Sequence, residues 1–517
     1  MSWLAQQVTA FVENPPVGPA GQQGAGLLYA AEAALLLDLE PLATQARAAA
    51  WQRLQQLPLG VEAARLAAQG MRTTPQARKR RRWVEAALRA AQSLTVPSQA
   101  AAAWEAIVRV AAQSRVRRAW QAALEAWPGL REDPWAQLQV WQALMAGREA
   151  WRRRAPSSWD ALLEMLTVLP ETHIVQALLW LHEQPWAKSG LPRPALAALA
   201  QRLERSPDLY PRARGLVALG RWFPVAQRKA WAQQATEAAQ ALTDEPYRTE
   251  ALAWAALGWA QARAASEARA LADQVLAALP QVGYMDDRLR VLAPLLKTFT
   301  TLRRTKDLER VWPWVADIGY PRFLGPAVAA WIDAAKQLRA SYLVQRGLRL
   351  LLNQARETPA EWQRIPLLQA FLRPAMSPEW WHAAWQEVVM PTRTPRYRAQ
   401  GLVLLAENPP LVFPSSSVEQ MLKMSPWDLV DLQLPWETLA EQARDIPAPA
   451  AREFALHRVL LAWLVFRPQE GLEAGRAFWP WVTAPHRRGE LLATAVRTAL
   501  RLAFVQQFDR RATRGET

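Results

Sequence analysis

The chain has 517 residues, of which 51% are hydrophobic and 21% charged, and a net charge of +16. That supply of apolar residues suffices for a large core and excludes a chain disordered overall. There is no cysteine, which excludes disulfides, thiolate metal sites and cysteine nucleophiles.

Alanine, leucine, arginine and glutamine dominate, and these are good helix formers. The 28 tryptophans outnumber the 7 tyrosines and 11 phenylalanines together, so large apolar surfaces must be buried in a core or at interfaces. The opening residues Met1 to Gln7 carry neither a basic leader nor a signal-length apolar run. No run of about 18 uncharged apolar residues occurs, so the expectation is a cytoplasmic protein with no membrane span. Only 7 of the 62 basic side chains are lysine, and the charge is spread along the chain rather than gathered in a tail. Such basicity permits contact with nucleic acid or with acidic proteins.

Residues 1–170 read as an irregular helical region, either the array beginning in irregular form or a helical cap on it. The stretch from Asn14 to Gly26, with three prolines and four glycines, reads as a flexible link between a short first helix and a longer one starting near Leu27. Breaks at Pro58, Pro75, Pro97, Pro128, Pro134 and Pro156 leave helices of about ten to twenty residues between them. Three basic clusters lie here. Arg78, Lys79, Arg80, Arg81 and Arg82 precede Trp83; Arg115, Arg117 and Arg118 precede Trp120; Arg152, Arg153 and Arg154 follow Trp151. Guanidinium forks suit phosphate and an indole can stack on a base. Consecutive residues on a helix point all around it, however, so a run of charge also describes a solvated face.

From about residue 171 the chain repeats. Tyr210, Tyr247, Tyr284, Tyr320 and Tyr397 are spaced by 37, 37, 36 and 77 residues, the last about two periods. Each opens a similar phrase, as in Tyr210-Pro-Arg-Ala-Arg-Gly-Leu and Tyr247-Arg-Thr-Glu-Ala-Leu. Weaker copies start near His173, Trp362, Ala451 and His486. Five residues into most copies stands a leucine: Leu252, Leu289, Leu367, Leu402, Leu456 and Leu491. Within 247–262 the residues Ala251, Leu252, Ala255, Ala256, Trp259 and Ala260 recur at helical steps. A break follows at Ala264 to Glu267, with Ser266 as the expected cap, and then a second helix carries Leu271, Val275, Leu276 and Leu279 before Pro280. One period is therefore helix, turn, helix, turn. Neither helix can bury its apolar stripe alone, and stacking on neighbours solves this. The expected fold is all-α: a right-handed α-solenoid of helix-turn-helix repeats of about 37 residues over 171–505, with the irregular region 1–170 before it. The segment beginning Asn408-Pro-Pro and running through Ser415–Ser417 breaks the phase, so an insertion is expected near 408–446. Residues 506–517 read as a basic C-terminal tail.

The Arg-x-x-Ala-Leu first helix and the Ala/Leu-rich second helix resemble tetratricopeptide-like α-solenoids of bacterial regulatory and defence proteins. The resemblance is architectural and covers about 170–505. The period departs from the usual 34 residues, which leaves HEAT-like stacking as the other form of the same resemblance.

No catalytic constellation emerges. The glycines from Gly18 to Gly26 lack the lysine and hydroxyl residue of a nucleotide loop. His173, His182, His382, His457 and His486 form no ligand pair on a helix face, so neither metal nor cofactor is expected. Asp286-Asp287, Glu132-Asp133 and Asp244-Glu245 sit at helix starts, where the positive helix end accounts for them. Most tryptophans fall at core spacing; Trp380, Trp381 and Trp385 are candidate partner anchors on a concave face. The sequence points to a non-catalytic protein-binding scaffold, adaptor or sensor subunit. The alternative is a nucleic-acid-binding subunit that uses the three arginine clusters.

Overall fold

The computed structural model describes residues 2–147, 163–184, 187, 193–372, 377–410 and 435–513, with backbone alone for 475 and 504–513. Among these residues there is no strand, and no helix is long and apolar enough to cross a membrane. The protein is an all-α array in which consecutive helices pack as neighbouring pairs and pairs stack on pairs. The contacts group the chain into two compact units, Met1–Trp151 with Leu372–Thr517, and Arg152–Phe371.

The first unit begins with α1 (Ser2–Glu13), α2 (Ala20–Leu36), α3 (Glu40–Gln55), α4 (Val61–Thr73), α5 (Ala77–Gln92), α6 (Pro97–Ser114), α7 (Arg117–Ala126) and α8 (Pro134–Gly147). The second unit contains α9 (Glu171–Glu183), α10 (Arg193–Glu204), α11 (Leu209–Leu219), α12 (Val225–Ala241), α13 (Tyr247–Gln261), α14 (Ala265–Ala278), α15 (Met285–Thr301), α16 (Thr305–Ala316), α17 (Pro321–Gln337), α18 (Ser341–Glu357) and α19 (Glu361–Phe371). The first unit resumes with α20 (Pro378–Ala384), α21 (Pro395–Glu407), α22 (Trp436–Arg444), α23 (Pro449–Phe466), α24 (Pro468–Phe478) and α25 (Pro485–Thr513).

In the second unit the first helices of successive repeats, α11, α13, α15, α17 and α19, touch one another in order, and the second helices pack over them. The sequence of α13 explains the layering. Every residue from Thr249 to Ala260 is buried, so this helix has no solvent stripe and is enclosed by α11, α12, α14 and α15. Small residues permit the close approach. A Cβ on Gly258 would lie 2.9 Å from Val217, and one on Gly325 would lie 2.8 Å from the Pro366 carbonyl oxygen. Trp83, Trp141, Trp231, Trp331, Trp381 and Trp436 are completely buried; removing one such side chain costs about 3–5 kcal/mol.

Five of the turns between helices follow one pattern. Asp38, Arg115, Arg263, Arg303 and Arg339 adopt left-handed backbone, with φ between 53° and 61°. In each, the next amide reaches back five residues: Leu39 to Ala34, Val116 to Ala111, Ala264 to Trp259, Arg304 to Phe299 and Ala340 to Ala335, at 2.8–3.0 Å. These are Schellman caps, whose left-handed residue is ordinarily glycine. A side chain there costs roughly 1–2 kcal/mol. The cap, not Ser266, closes the turn before α14: Ser266 hydrogen-bonds the neighbouring Glu267 side chain instead.

The glycine-rich stretch is helix rather than linker. α2 starts at Ala20, and Gly21, Gly24 and Gly26 are buried within it. Their missing side chains let α4 and α25 approach: a Cβ on Gly24 would meet Leu66 at 2.7 Å, and one on Gly26 would meet the Pro485 carbonyl oxygen at 2.4 Å. The α2–α25 seam therefore joins the first and last parts of the chain within one unit. α1 adds to it through Trp3, whose ring lies edge-on to Trp479 at 5.9 Å. α25 continues to Thr513, so residues 506–513 extend a helix, and 514–517 lie outside the described residues.

Candidate functional site

The arginine clusters separate once their contacts are known. Arg80 is structural: its guanidinium donates to the carbonyls of Thr74 (2.7 Å), Pro75 (2.8 Å) and Ser114 (3.0 Å), closing the end of α6 onto the start of α5. Arg82 lies over the Trp51 ring at 4.9 Å. Arg81 and Arg118 converge on one carboxylate, Glu85, at 2.9 and 3.5 Å, so α5 and α7 share a charged face there. Those arginines hold the Glu85 carboxyl below the usual range, chiefly through the Arg81 hydrogen bond. Arg78, Lys79, Arg115 and Arg117 are exposed on the same end of these helices and have no ion-pair partner among the described residues. Arg152, Arg153 and Arg154 lie outside the described residues, as does most of the expected insertion, 411–434.

The aromatic anchors need correction. Trp381 is fully buried and donates its indole N–H to the Leu405 carbonyl at 3.1 Å; Trp385 is 6% exposed and donates to Gln442 at 3.1 Å. Both serve the interior, because an indole whose polar edge is satisfied inside the fold loses nothing by burial. Trp380 is half-buried. Trp254, Trp259, Trp312 and Trp331 are buried, as their helical spacing implies, whereas Trp314, at the same spacing, is half-buried.

The second unit contains a polar ladder that sequence reasoning missed. Glu250 sits in the enclosed helix α13 and is 3% exposed. A buried carboxylate needs partners, and neighbouring repeats provide them. From α11, the Tyr210 hydroxyl donates to Glu250 Oε2 at 2.6 Å, and Arg214 donates to that hydroxyl at 2.8 Å while its Nε lies 3.4 Å from Oε1. From α15, Arg290 Nε lies 3.7 Å from Oε2, and the same guanidinium pairs with Asp287. Tyr210 and Tyr247 meet edge to face at 5.0 Å, with Arg214 over Tyr210 and Arg290 over Tyr247. Burial, followed by the Glu250 charge, pushes the Tyr210 phenol well above its ordinary pKa. Two arginines balance two carboxylates, so the ladder is a neutral tie across three repeats. Its signal lies in the sequence: Glu250 and Asp287 each stand three residues after a phased tyrosine. The position of Asp287 at a helix start, which suggests dipole complementation alone, hides its second role.

The phased aromatics themselves stay outside. Tyr247, Tyr284, Tyr320 and Trp362 open successive first helices and are 38%, 78%, 54% and 50% exposed. Alternate helices run the same way, so these rings share one rim of the second unit. The turns at Arg263, Arg303 and Arg339 share the opposite rim. Between the last two lies a recess of about 520 Å³ lined by Thr300, Arg303, Thr305, Gln337, Leu338 and Arg339.

His182 is a strongly perturbed histidine. Its Nε2 contacts the Ala218 carbonyl at 2.7 Å and its ring lies edge-on to Trp222. Burial pushes its pKa down to about 4, and Arg221 and Lys297 act in the same direction. In the first unit His457 lies 3.4 Å from Glu490, whose carboxyl is held low chiefly by that histidine. Among the described residues no group of three acidic or histidine side chains could hold a metal.

No known protein family matches the chain, and no curated protein is significantly similar to it. Among solved structures it is similar to one described as a circular tandem repeat protein with novel repeat topology and enhanced subunit contact surfaces. That likeness has 14% identity, covers 92% of this chain and 90% of that one, and has a TM-score of 0.12. At so low a score it carries no argument about function.

Proposed function

We propose that the protein is a non-catalytic scaffold that binds a partner protein along the aromatic rim of the second unit. The observation that carries this reading is the row Tyr247, Tyr284, Tyr320 and Trp362, an exposed ring at the start of each of four successive first helices. Tyrosine, tryptophan and arginine are the side chains that dominate interface energetics, because they offer large contact area with a polar edge. The Glu250 ladder lies beneath the start of this row and holds the first helices in register, which lowers the entropy lost on binding.

The test is affinity capture from the native cells with wild-type protein and a Tyr284→Ser/Tyr320→Ser variant of unchanged melting temperature. A protein partner held by the wild type and lost from the variant supports the reading. Recovery of nucleic acid alone would overturn it.

A second reading is favoured by one observation, the convergence of Arg81 and Arg118 on Glu85, which makes the α5 and α7 cations a shared face. Under it, Arg78, Lys79, Arg115 and Arg117 contact nucleic-acid phosphates. Charge reversal at Arg78, Lys79 and Arg117 would then weaken binding and flatten its salt dependence. Arg80 is unsuited to this test, since its loss would uncap α6.

A further inference from the structure

The second unit displays arginine where its turns call for glycine. Arg263, Arg303 and Arg339 occupy the left-handed position of three consecutive Schellman caps. A positive side chain at a helix C-terminus complements the helix dipole, but that gain is smaller than the cost of the left-handed backbone. All three are exposed, and none has an ion-pair partner among the described residues. Of the carboxylates four residues on, Glu267 after Arg263 accepts from the Ser266 hydroxyl, and Asp307 after Arg303 is engaged by Arg304 and Arg310 at 3.3 and 3.6 Å. Lys297, Lys306 and Lys336 stand exposed close by in the same helix ends.

We propose that this arginine rim is a phosphate-binding edge that takes the backbone of a nucleic-acid strand. It goes beyond the protein-binding reading and uses the rim opposite the aromatic row. The charges recur once per repeat, about one helix spacing apart, which suits a polymer with regularly placed charge. The recess between Arg303 and Arg339 adds the Thr300 and Thr305 hydroxyls and the Gln337 amide, and contains no carboxylate. Guanidinium forks with hydroxyl donors match phosphate oxygens. An acidic peptide would find the charges but little apolar floor, since Leu338 is the one apolar residue lining the recess.

The experiment is fluorescence anisotropy of a labelled oligothymidine of about 20 nucleotides, titrated with the full chain at several salt concentrations. Wild type is compared with Arg263→Gly/Arg303→Gly/Arg339→Gly. Glycine removes the charge while relieving the backbone, so the variant melts at the same temperature or higher and loss of binding is not loss of fold. The expected result is at least about tenfold weaker binding and a log–log salt slope smaller by about two, at roughly 0.7 per phosphate released. Tyr284→Ser/Tyr320→Ser is expected to bind the oligonucleotide as wild type does, which separates this rim from the aromatic one. No binding by wild type, unchanged slope and affinity in the glycine variant, or tighter binding of a polyglutamate peptide than of the oligonucleotide would overturn the proposal.

Discussion

The hydroxyl of Tyr210 donates to the carboxylate of Glu250 across 2.6 Å, tying the first helices of two successive repeats. Glu250 lies in the first turn of α13 and is 3% exposed, so its charge depends on partners from the neighbouring helices. Tyr210→Phe is expected to cost about 1.5–3 kcal/mol, the range for a hydrogen bond to a charged group. Glu250→Ala is expected to cost about 2–4 kcal/mol, below the full value for breaking a buried pair because Arg290 still reaches solvent. Urea unfolding of each single variant and of the double variant checks this. The double should cost clearly less than the two singles added together.

Relief of left-handed strain predicts a change of opposite sign. Arg303→Gly should raise stability by about 1 kcal/mol, the left-handed penalty less the extra freedom glycine gives the unfolded chain. Arg303→Val should lower stability, since β-branching is least tolerated there. Thermal melts of the two variants decide the matter.

Gly489 reverses the usual helix rule. Alanine in place of a helical glycine normally stabilises by about 1 kcal/mol. Here the added Cβ would sit 2.5 Å from the Gly26 carbonyl oxygen, so α2 and α25 would have to separate. Gly489→Ala is expected to destabilise by about 1–3 kcal/mol. A chemical denaturation midpoint lower for Gly489→Ala than for the wild type would show the contact, since helix propensity alone would raise it.

His182 gives the fold a dependence on acid. Its folded pKa of about 4 lies below the ordinary 6.5, so the unfolded chain takes up the proton first as pH falls. Its stabilising contribution is complete above about pH 6.5 and is lost as pH drops towards 4. The loss amounts to at most about 3 kcal/mol, since each tenfold difference in proton affinity between the folded and unfolded chain is worth about 1.4 kcal/mol. His182→Gln, which keeps an N–H for the Ala218 carbonyl, should flatten this part of the stability–pH curve. Denaturation midpoints at a series of pH values between these limits would show it.

The helical repeat was legible because its signals are local. A tyrosine every 37 residues and apolar residues at three- and four-residue steps place α13 at 247–262, against Tyr247–Gln261 in the structure. The glycines of α2 mislead for a physical reason: glycine marks both flexible chain and close helix contact, and only the presence of Leu66 and Pro485 opposite distinguishes them. The burial of Trp381 and Trp385 is hidden from the sequence because exposure depends on what lies across from an indole, here Leu405 and Gln442.

Amino-acid order alone determined that paired helices form and must stack, since each apolar stripe has no cover within its own repeat. Tertiary structure decided which charges are engaged and which are left to solvent. Arg80 and Arg290 are bound by groups from neighbouring helices, whereas Arg263, Arg303 and Arg339 stand at a rim. The reason is range: periodicity is fixed by neighbours along the chain, but the partner of a guanidinium is fixed by packing between elements more than thirty residues apart.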